Sequence, residues 1–375
     1  TMNSVPEIPQ RPDVSEAMRE LPMALTAFFV VLAVLTAGAL TVMFLFPESN
    51  PLIQPTRVAL DAETDAMTLV GADAQYTGLG VDVCVVDSGI DLQHRDMDHV
   101  TVAGWQDLVG NASSPYDDHG HGTSMAGILV AKGGLTGLAP DVNLHVVKAL
   151  SSSGEGEDQD LADAIDWCIE QGSHIISLSL GGAPGALSFL PGGGRASEAA
   201  VERALAQGIF IVAAAGNDGG SGDDGDVASP GSVDLVISVG GVDMDGAHWE
   251  GSSIGDNNGR LLPLPILLPR QDPDKKPELM APGAGVAVVS AETNSWSLVN
   301  GTSAATVFVT AALAHLLEAR PDLRSGDVNN SAEQTIEEVK TNLMNSARPQ
   351  PGQDGHDDAY GYGIIQFDRL LDAYV

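Results

Sequence analysis

Hydrophobic residues fall along this chain in three patterns. Residues 23–46 carry no charged side chain, and at 1.5 Å per residue a helix of that length crosses a bilayer core of about 30 Å with some tilt. From residue 81 onward, apolar runs of strand length (81–86, 144–149, 174–180, 209–214 and 235–239) alternate with segments of helical period (123–130, 158–170 and 196–207). Such alternation predicts an α/β fold with a mostly parallel central sheet and helices on both faces. In that architecture ligands bind beyond the carboxyl ends of the strands. The third pattern is a continuous apolar run, 304–317, which predicts a buried helix. Gly301-Thr302-Ser303 opens it with residues suited to a helix start. There are no internal repeats.

Proline and charge divide the rest. Residues 1–22 are polar, hold Pro6, Pro9 and Pro12, and read as a short tail. Residues 23–46 read as a transmembrane signal anchor, because Met43-Phe44-Leu45-Phe46-Pro47 offers no small-x-small cleavage site. Arg11 and Arg19 precede it and Arg57 follows, which favours the N-terminus inside and the folded domain outside, extracytoplasmic. Ala33, Ala37 and Thr41 form a small-residue stripe that fits helix packing or ordinary membrane composition equally. Residues 47–56 form a Pro-rich linker, and 57–375 one domain.

Three further segments give Ser303 chemical context. Val81-Asp-Val-Cys-Val-Val-Asp87-Ser88-Gly89 is a strand ending on a carboxylate and a glycine turn. His119-Gly120-His121-Gly122-Thr123 places a histidine at the start of a small-residue helix, and Ala213-Ala214-Ala215-Gly216-Asn217 ends a strand on an amide. Each has a plain structural reading: Asp87 as a turn cap, His121 as a cap or core histidine, Asn217 as a left-handed turn residue. Asp, His and Ser in this chain order, with the amide between the last two, form an ordered set. Asp87-Ser88-Gly89, His121-Gly122-Thr123, Gly301-Thr302-Ser303 and the Asn217 segment all resemble the subtilisin-like serine peptidases, the subtilases. The resemblance covers roughly residues 55–375.

The resemblance implies a serine endopeptidase acting on polypeptide. Ser303 would be the nucleophile, His121 the base, Asp87 its orienting acid, and Asn217 an oxyanion donor beside the Ser303 N–H. His119 is the rival base; the Gly-Thr after His121 favours His121. Substrate would add as a strand between Ser153-Gly154-Glu155-Gly156 and Leu178-Ser179-Leu180-Gly181-Gly182, with Ala214, Ala215 and Gly216 walling the primary pocket. Glu155, Glu157 and Asp158 would make the unprimed rim acidic, where relatives often place an aromatic; basic or polar substrate residues fit such a rim. Two departures stand out. Ser124 replaces a second histidine common in the family, and Ala304-Ala305-Thr306-Val307 lacks the usual proline after the nucleophile. No cofactor is implied. Calcium has no clear site: residues 131–137 are too short for the family's calcium loop, and Asp223-Asp224-Gly225-Asp226 reads as an acidic solvated loop. A folding prodomain would be usual, and residues 47–67 leave no room for one, so the domain is expected to fold unaided or with a partner's help.

Composition adds three expectations. The net charge of −34, with 51 acidic against 17 basic residues, argues against nucleic acid as a partner. It fits a solvated acidic surface and, more sharply, a halophilic protein. Cys84 and Cys168 lie in apolar segments and read as buried thiols rather than a pair or a metal site. An apolar insertion at about 256–276 is bracketed by Arg260 and Arg270 and followed by Lys275-Lys276. Its core, Leu261 to Leu268, reads either as a flap over its own domain or as a docking element for a protein partner or membrane surface. The leading expectation is a membrane-anchored endopeptidase. The alternative is a subtilase-fold structural or maturation subunit of a membrane-associated assembly.

Overall fold

The computed structural model describes residues 14–45 (side chains only for 25–41), 54–72, 75–181, 195–222, 226–255, 269–291, 295–324 and 332–374. The chain divides into two units, Thr1–Ile53 and Gln54–Val375.

The first unit holds one helix, α1 (Val14–Leu45), of 32 residues. At 1.5 Å per residue it is about 48 Å long. It begins within the stretch expected as a tail. Its described apolar part is Leu25–Thr41, where Phe28, Phe29, Val34, Leu35 and Leu40 are all exposed. Thr36 and Thr41 donate their hydroxyls to the carbonyls of Leu32 and Ala37, both at 2.7 Å, which satisfies these two groups within the helix. The described helix that could cross a membrane by length and composition, Thr302–Ala319, is 89% buried and is a core helix of the second unit.

The second unit is built on a seven-stranded sheet. Its strands are β1 (Asp82–Asp87), β2 (Gly104–Asp107), β3 (Asn143–Lys148), β4 (Ile175–Leu178), β5 (Phe210–Ala214), β6 (Ile237–Val242) and β7 (Leu279–Pro282). They lie in the order β2-β3-β1-β4-β5-β6-β7, and every pairing is parallel. Five of these strands follow the apolar runs. Strands β2 and β7 have four residues each and give no usable period. Helix α3 (His121–Val130) packs with α6 (Thr302–Ala319), and α6 lies under β4 to β7; α4 (Asp158–Glu170) and α5 (Ala196–Leu205) pack together against β1, β3 and β5. The chain leaves β1 toward β3 and continues on its other side from β4, so the crevice outside the carboxyl ends opens there. Asp87, Leu150, Ser179 and Asn217 all lie at or just beyond those ends.

Four more elements complete the unit. Helix α2 (Arg57–Leu69) packs on an antiparallel hairpin, β8 (Ala284–Ser290) with β9 (Ser295–Asn300). Helices α7 (Ala332–Ser346) and α8 (Phe367–Asp372) pack together, and α8 also meets α6. Residues 361–365 make isolated bridges, from Gly361 to Asp357 and from Ile364 to Met280 and Arg348.

Two expectations are corrected. First, Cys84 and Cys168 are disulfide-bonded, with Cα atoms 5.9 Å apart. Cys84 sits on the face of β1 that α4 covers, and packing of the helix on the strand brings Cys168 over it. Second, the basic residues after the insertion are not displayed for a partner. Arg270 pairs with Asp226 through two bonds of 2.7 and 3.0 Å, and Lys275 lies 3.3 Å from Asp272. Lys276 is fully buried, donating to the Val236 carbonyl and to Glu278, each at 2.7 Å. Lys340, also buried, shares the same Glu278 oxygen at 2.6 Å. With one carboxylate serving two ammonium groups, burial and the Lys340 charge push the Lys276 amine down to about 8, although Glu278 opposes them. Burial also opposes charge on Lys340, but Glu278 and Asp274 together outweigh it and raise its pKa. The core of the insertion, residues 256–268, lies outside the described residues.

The disulfide closes a loop whose ends are 84 residues apart in sequence. In the chain-entropy account such a crosslink stabilises by about 4.5 kcal/mol, and removal of a native bridge costs about 2–5 kcal/mol. Cys168→Ser, or treatment with reductant, should lower unfolding free energy by that amount in urea titrations. An unchanged midpoint would show that the bridge is dispensable.

Candidate active site

Strand β1 ends on Asp87, whose side chain is buried, and its Oδ1 accepts the Ser88 N–H at 2.7 Å. The next turn, Gly89, approaches the loop before α3 so closely that a Cβ would lie 2.0 Å from the Tyr116 carbonyl oxygen. At the start of α3, a Cβ on Gly122 would lie 2.2 Å from the Gly89 carbonyl oxygen. This contact brings His121 onto Asp87. Its Nδ1 lies 2.7 Å from Oδ1 and 3.0 Å from Oδ2. Nε2 is thereby the ring nitrogen left for the cleft. The Asp87 charge raises the imidazole pKa above 6.5, burial lowers it, and the hydrogen bond and the charge of Asp117 add to the rise.

Ser303 is the second residue of α6, where backbone N–H groups have no intrahelical acceptor and the helix end is electropositive. Its hydroxyl donates to the Ser179 carbonyl at 2.9 Å, and the Ser179 hydroxyl donates back to the Ser303 carbonyl at 3.0 Å. The Ser303 hydroxyl is thus held just beyond the end of β4. Asn217 follows β5. Its Oδ1 accepts the N–H and the hydroxyl of Thr302, both at 2.9 Å, which turns the amide nitrogen away from Thr302. A Cβ built on Gly301 would lie 3.8 Å from Ser303 N and 3.9 Å from Asn217 Nδ2. Two donors therefore flank one small space, and Gly301 leaves it open.

Two cavities meet at these residues. One, of about 520 Å³, is lined by Leu150, Gly154 to Asp158, Ser179 to Gly181, Arg195, Asn217 and Ser229, together with His121 and Ser303. It contains Gly154, Glu155, Gly156, Ser179, Leu180 and Gly181 from the expected set. Ala214 and Ala215 are buried behind its wall. Gly216 packs on Ser253 and Ala228: a Cβ there would meet them at 2.4 and 3.3 Å. Ser229, which sequence reasoning passed over, donates to Glu198 at 2.7 Å. The second cavity, of about 460 Å³, runs past Met125 to Ser290, Val299 and Asn300 of the β8–β9 hairpin. His119 borders both cavities, with its ring 6.2 Å from that of His121, but makes no bond to Asp87.

The rim acids differ among themselves. Asp158 is occupied, accepting the Ala196 N–H at 2.7 Å and the Ser197 hydroxyl at 2.5 Å, and so ties the start of α5 to that of α4. Glu155 and Glu157 face solvent. Nothing at the turn after α3 fits a cation. There Asp96 accepts the N–H groups of Gly134 (2.7 Å) and Leu135 (2.9 Å) and the Trp296 indole (2.6 Å), so its oxygens already face donors. Among the described residues no group of three or more His, Cys, Asp or Glu is arranged to hold a metal.

Comparison with known proteins places this geometry. Residues 78–363 match the model of the subtilase family, peptidase S8. The chain is 35% identical over 274 residues to subtilisin DY of Bacillus licheniformis, covering 72% of this chain and 87% of that protein. It is 33% identical over 264 residues to subtilisin NAT of Bacillus subtilis subsp. natto, covering 69% of this chain but 61% of that protein's length. Serine protease AprX of Bacillus subtilis (strain 168) is 30% identical over 343 residues, covering 84% of this chain and 72% of that one. The fold is shared with a cold adapted subtilisin-like serine proteinase (TM-score 0.58, 23% identity, 78% and 89% coverage). It is also shared with the prenylagaramide maturation protease PagA (TM-score 0.60, 22% identity, 84% and 98% coverage). A parallel α/β sheet with a buried Asp–His pair at its crevice and a serine at the head of the central helix thus belongs to a subtilisin-like serine peptidase, a member of the subtilase family.

Proposed function

We propose that the protein is a membrane-anchored serine endopeptidase in which Asp87, His121 and Ser303 form the catalytic triad. The observation that carries this reading is the bond of 2.7 Å between Asp87 and His121 on a cleft that Ser303 and Asn217 also line. Rotation carries the Ser303 hydroxyl from Ser179 to His121 Nε2. Ser303 Oγ attacks the scissile carbonyl carbon while Nε2 takes its proton, and the negative oxygen settles between Ser303 N–H and Asn217 Nδ2. The C–N bond breaks as Nε2 returns the proton to the leaving amine. Water, deprotonated by the same nitrogen, then opens the acyl ester. Because the neutral imidazole is the base, activity falls as pH drops through its raised pKa.

Peptide substrate adds as a strand between residues 153–156 and 179–181. Glu155 and Glu157, exposed on the rim, favour Lys or Arg on the substrate's unprimed side. Glu155→Gln with Glu157→Gln should lower kcat/KM for such peptides about 2- to 30-fold, the effect of two rim charges worth up to roughly 1 kcal/mol each. Neutral peptides should be unaffected. Equal losses on both substrate sets would count against the charge reading.

The anchor reading rests on the uncharged segment 23–46 and the exposed apolar side chains of α1. The disulfide suits an oxidising, extracytoplasmic location of the second unit. The charge of −34 supports a halophilic protein whose carboxylate repulsion is screened by salt. The full chain should then leave the membrane fraction only with detergent, and its melting temperature should fall between molar and low salt. Extraction by salt alone, or a melting temperature indifferent to salt, would remove the corresponding part of the proposal.

The alternative, a subtilase-fold subunit with little general proteolysis, is separated by labelling. A fluorophosphonate should modify the wild type at Ser303 in molar salt and leave Ser303→Ala untouched. Ser303→Ala should also lose peptide hydrolysis by at least about 10³-fold while keeping the wild-type melting temperature, since only one hydroxyl is removed. Residual turnover within tenfold of wild type would sink the triad assignment.

A further inference from the structure

The end of β1 and the start of α3 carry the acid and base of the proposed triad, and one carboxylate from the loop between them binds both. Asp117 Oδ1 accepts from the Ser88 hydroxyl at 2.9 Å, His119 N at 3.1 Å and Gly120 N at 2.8 Å. Its Oδ2 accepts from Thr123 N at 2.9 Å and the Thr123 hydroxyl at 2.7 Å. The Ser88 hydroxyl in turn accepts from Gly122 N at 2.9 Å. These bonds bracket His121 on both sides along the chain. Ser88 is also the neighbour of Asp87 and donates its own N–H to the Asp87 carboxylate. Gly120, at φ 90°, has no side chain with which to cap α3, so Asp117 supplies the acceptors that the helix start needs.

We infer that Asp117, acting partly through Ser88, is a positioning residue for the Asp87–His121 pair. It fixes the distance between strand end and helix start and places a second negative charge behind the imidazole. The inference rests on the triad reading above. Burial acts to raise the Asp117 pKa, but hydrogen bonds from Thr123, Gly120 and Ser88 outweigh it and hold the carboxyl below the ordinary carboxylate value. It is therefore an anion at neutral pH. The other charged or titratable groups around His121 are Asp87 on β1, His119 on the same loop, and Glu155, Glu157, Asp158 and Arg195 around the larger cavity. The buried Lys148 lies behind the turn, donating to the Ser88 carbonyl at 2.7 Å and to Asp118 at 2.6 Å.

A helix cap alone contributes stability. A positioning anion also sets the rate and the pH at which the base titrates. The test measures kcat, KM and the rate of fluorophosphonate labelling against pH, in molar salt, on the full chain and on its Asp117→Asn and Ser88→Ala variants and their double. Ser88→Ala cuts the tie to β1 and the bond from Gly122 N but leaves the four Asp117 bonds to His119, Gly120 and Thr123 in place, so it decides the matter even if Asp117→Asn does not fold. Each single variant should lower kcat about tenfold or more with KM within about twofold. Asp117→Asn should also move the acid limb to lower pH, because removing a negative charge lowers the imidazole pKa. The double variant should be little worse than Asp117→Asn alone, since both act along one path. If the variants keep wild-type kcat and acid limb and lose only melting temperature, Asp117 is a cap and the inference is wrong. If the wild type does not label, or labels equally after Ser303→Ala, the triad reading fails and this inference with it.

Discussion

The site depends on one close approach. The chain after β1 and the chain entering α3 touch backbone to backbone at Gly89 and Gly122, with no room for a Cβ on either. That contact fixes how far Asp87 lies from His121, and it has to be made between groups that repel or desolvate one another. Asp87 is fully buried and charged groups resist burial. The compensation is local: the Ser88 N–H, the imidazole N–H, and the Asp117 hydrogen bonds that bind loop to strand. Every other member of the site can be set from the sheet. Ser303 and Asn217 belong to α6 and the end of β5, and Thr302 bonds one to the other.

The same tension runs through the molecule. A chain this acidic has few bases, and three of its lysines, Lys148, Lys276 and Lys340, are fully buried. Lys148 meets two carbonyls and Asp118 and lies 5.0 Å from the Tyr116 ring centre. Lys276 and Lys340 share Glu278. Three of the five lysines are thus inside, where each ammonium group is satisfied, while Arg57, Lys132, Arg203 and Arg320 stay at the surface beside carboxylates. The same distribution pairs Arg270, Lys275 and Lys276, beside the insertion, with carboxylates. It also makes the surface, rather than the interior, the part of the protein whose energy depends on salt.

The site was largely legible in sequence because each of its parts ends a periodic element: Asp87 a strand, Asn217 a strand, His121 and Ser303 the first turn of a helix. Helix α4 falls at the expected residues for the same reason. What escaped was set by tertiary contact. The disulfide was missed because two cysteines 84 positions apart give no spacing signal; the strand β1 and helix α4 have to be packed before they meet. Strands β2 and β7 are too short to show a period. Helix α2 lies ahead of the first expected strand, in a stretch for which the sequence suggested no element. Asp117 had a sequence signal, an acidic residue just ahead of a helix start, but its tie to Ser88 required the fold. Ser229 lines the larger cavity from a segment with no periodic signal, so it escaped as well.

Loss of the family's proline after the nucleophile leaves a question about how α6 is held straight and in place. The answer lies in its threonines. Thr306 donates to the Thr302 carbonyl at 2.9 Å, and Thr310 donates toward the Thr306 carbonyl and the Ser177 hydroxyl, both at 3.0 Å. Thr310 thus links the helix to β4, two residues before Ser179, which holds the Ser303 hydroxyl. The helix is buried from Thr302 to Leu317, so its position is set by packing on four strands rather than by a bend at its head. A buried helix without proline can carry the nucleophile as firmly as one with it, provided its polar side chains find partners; here each of the three does.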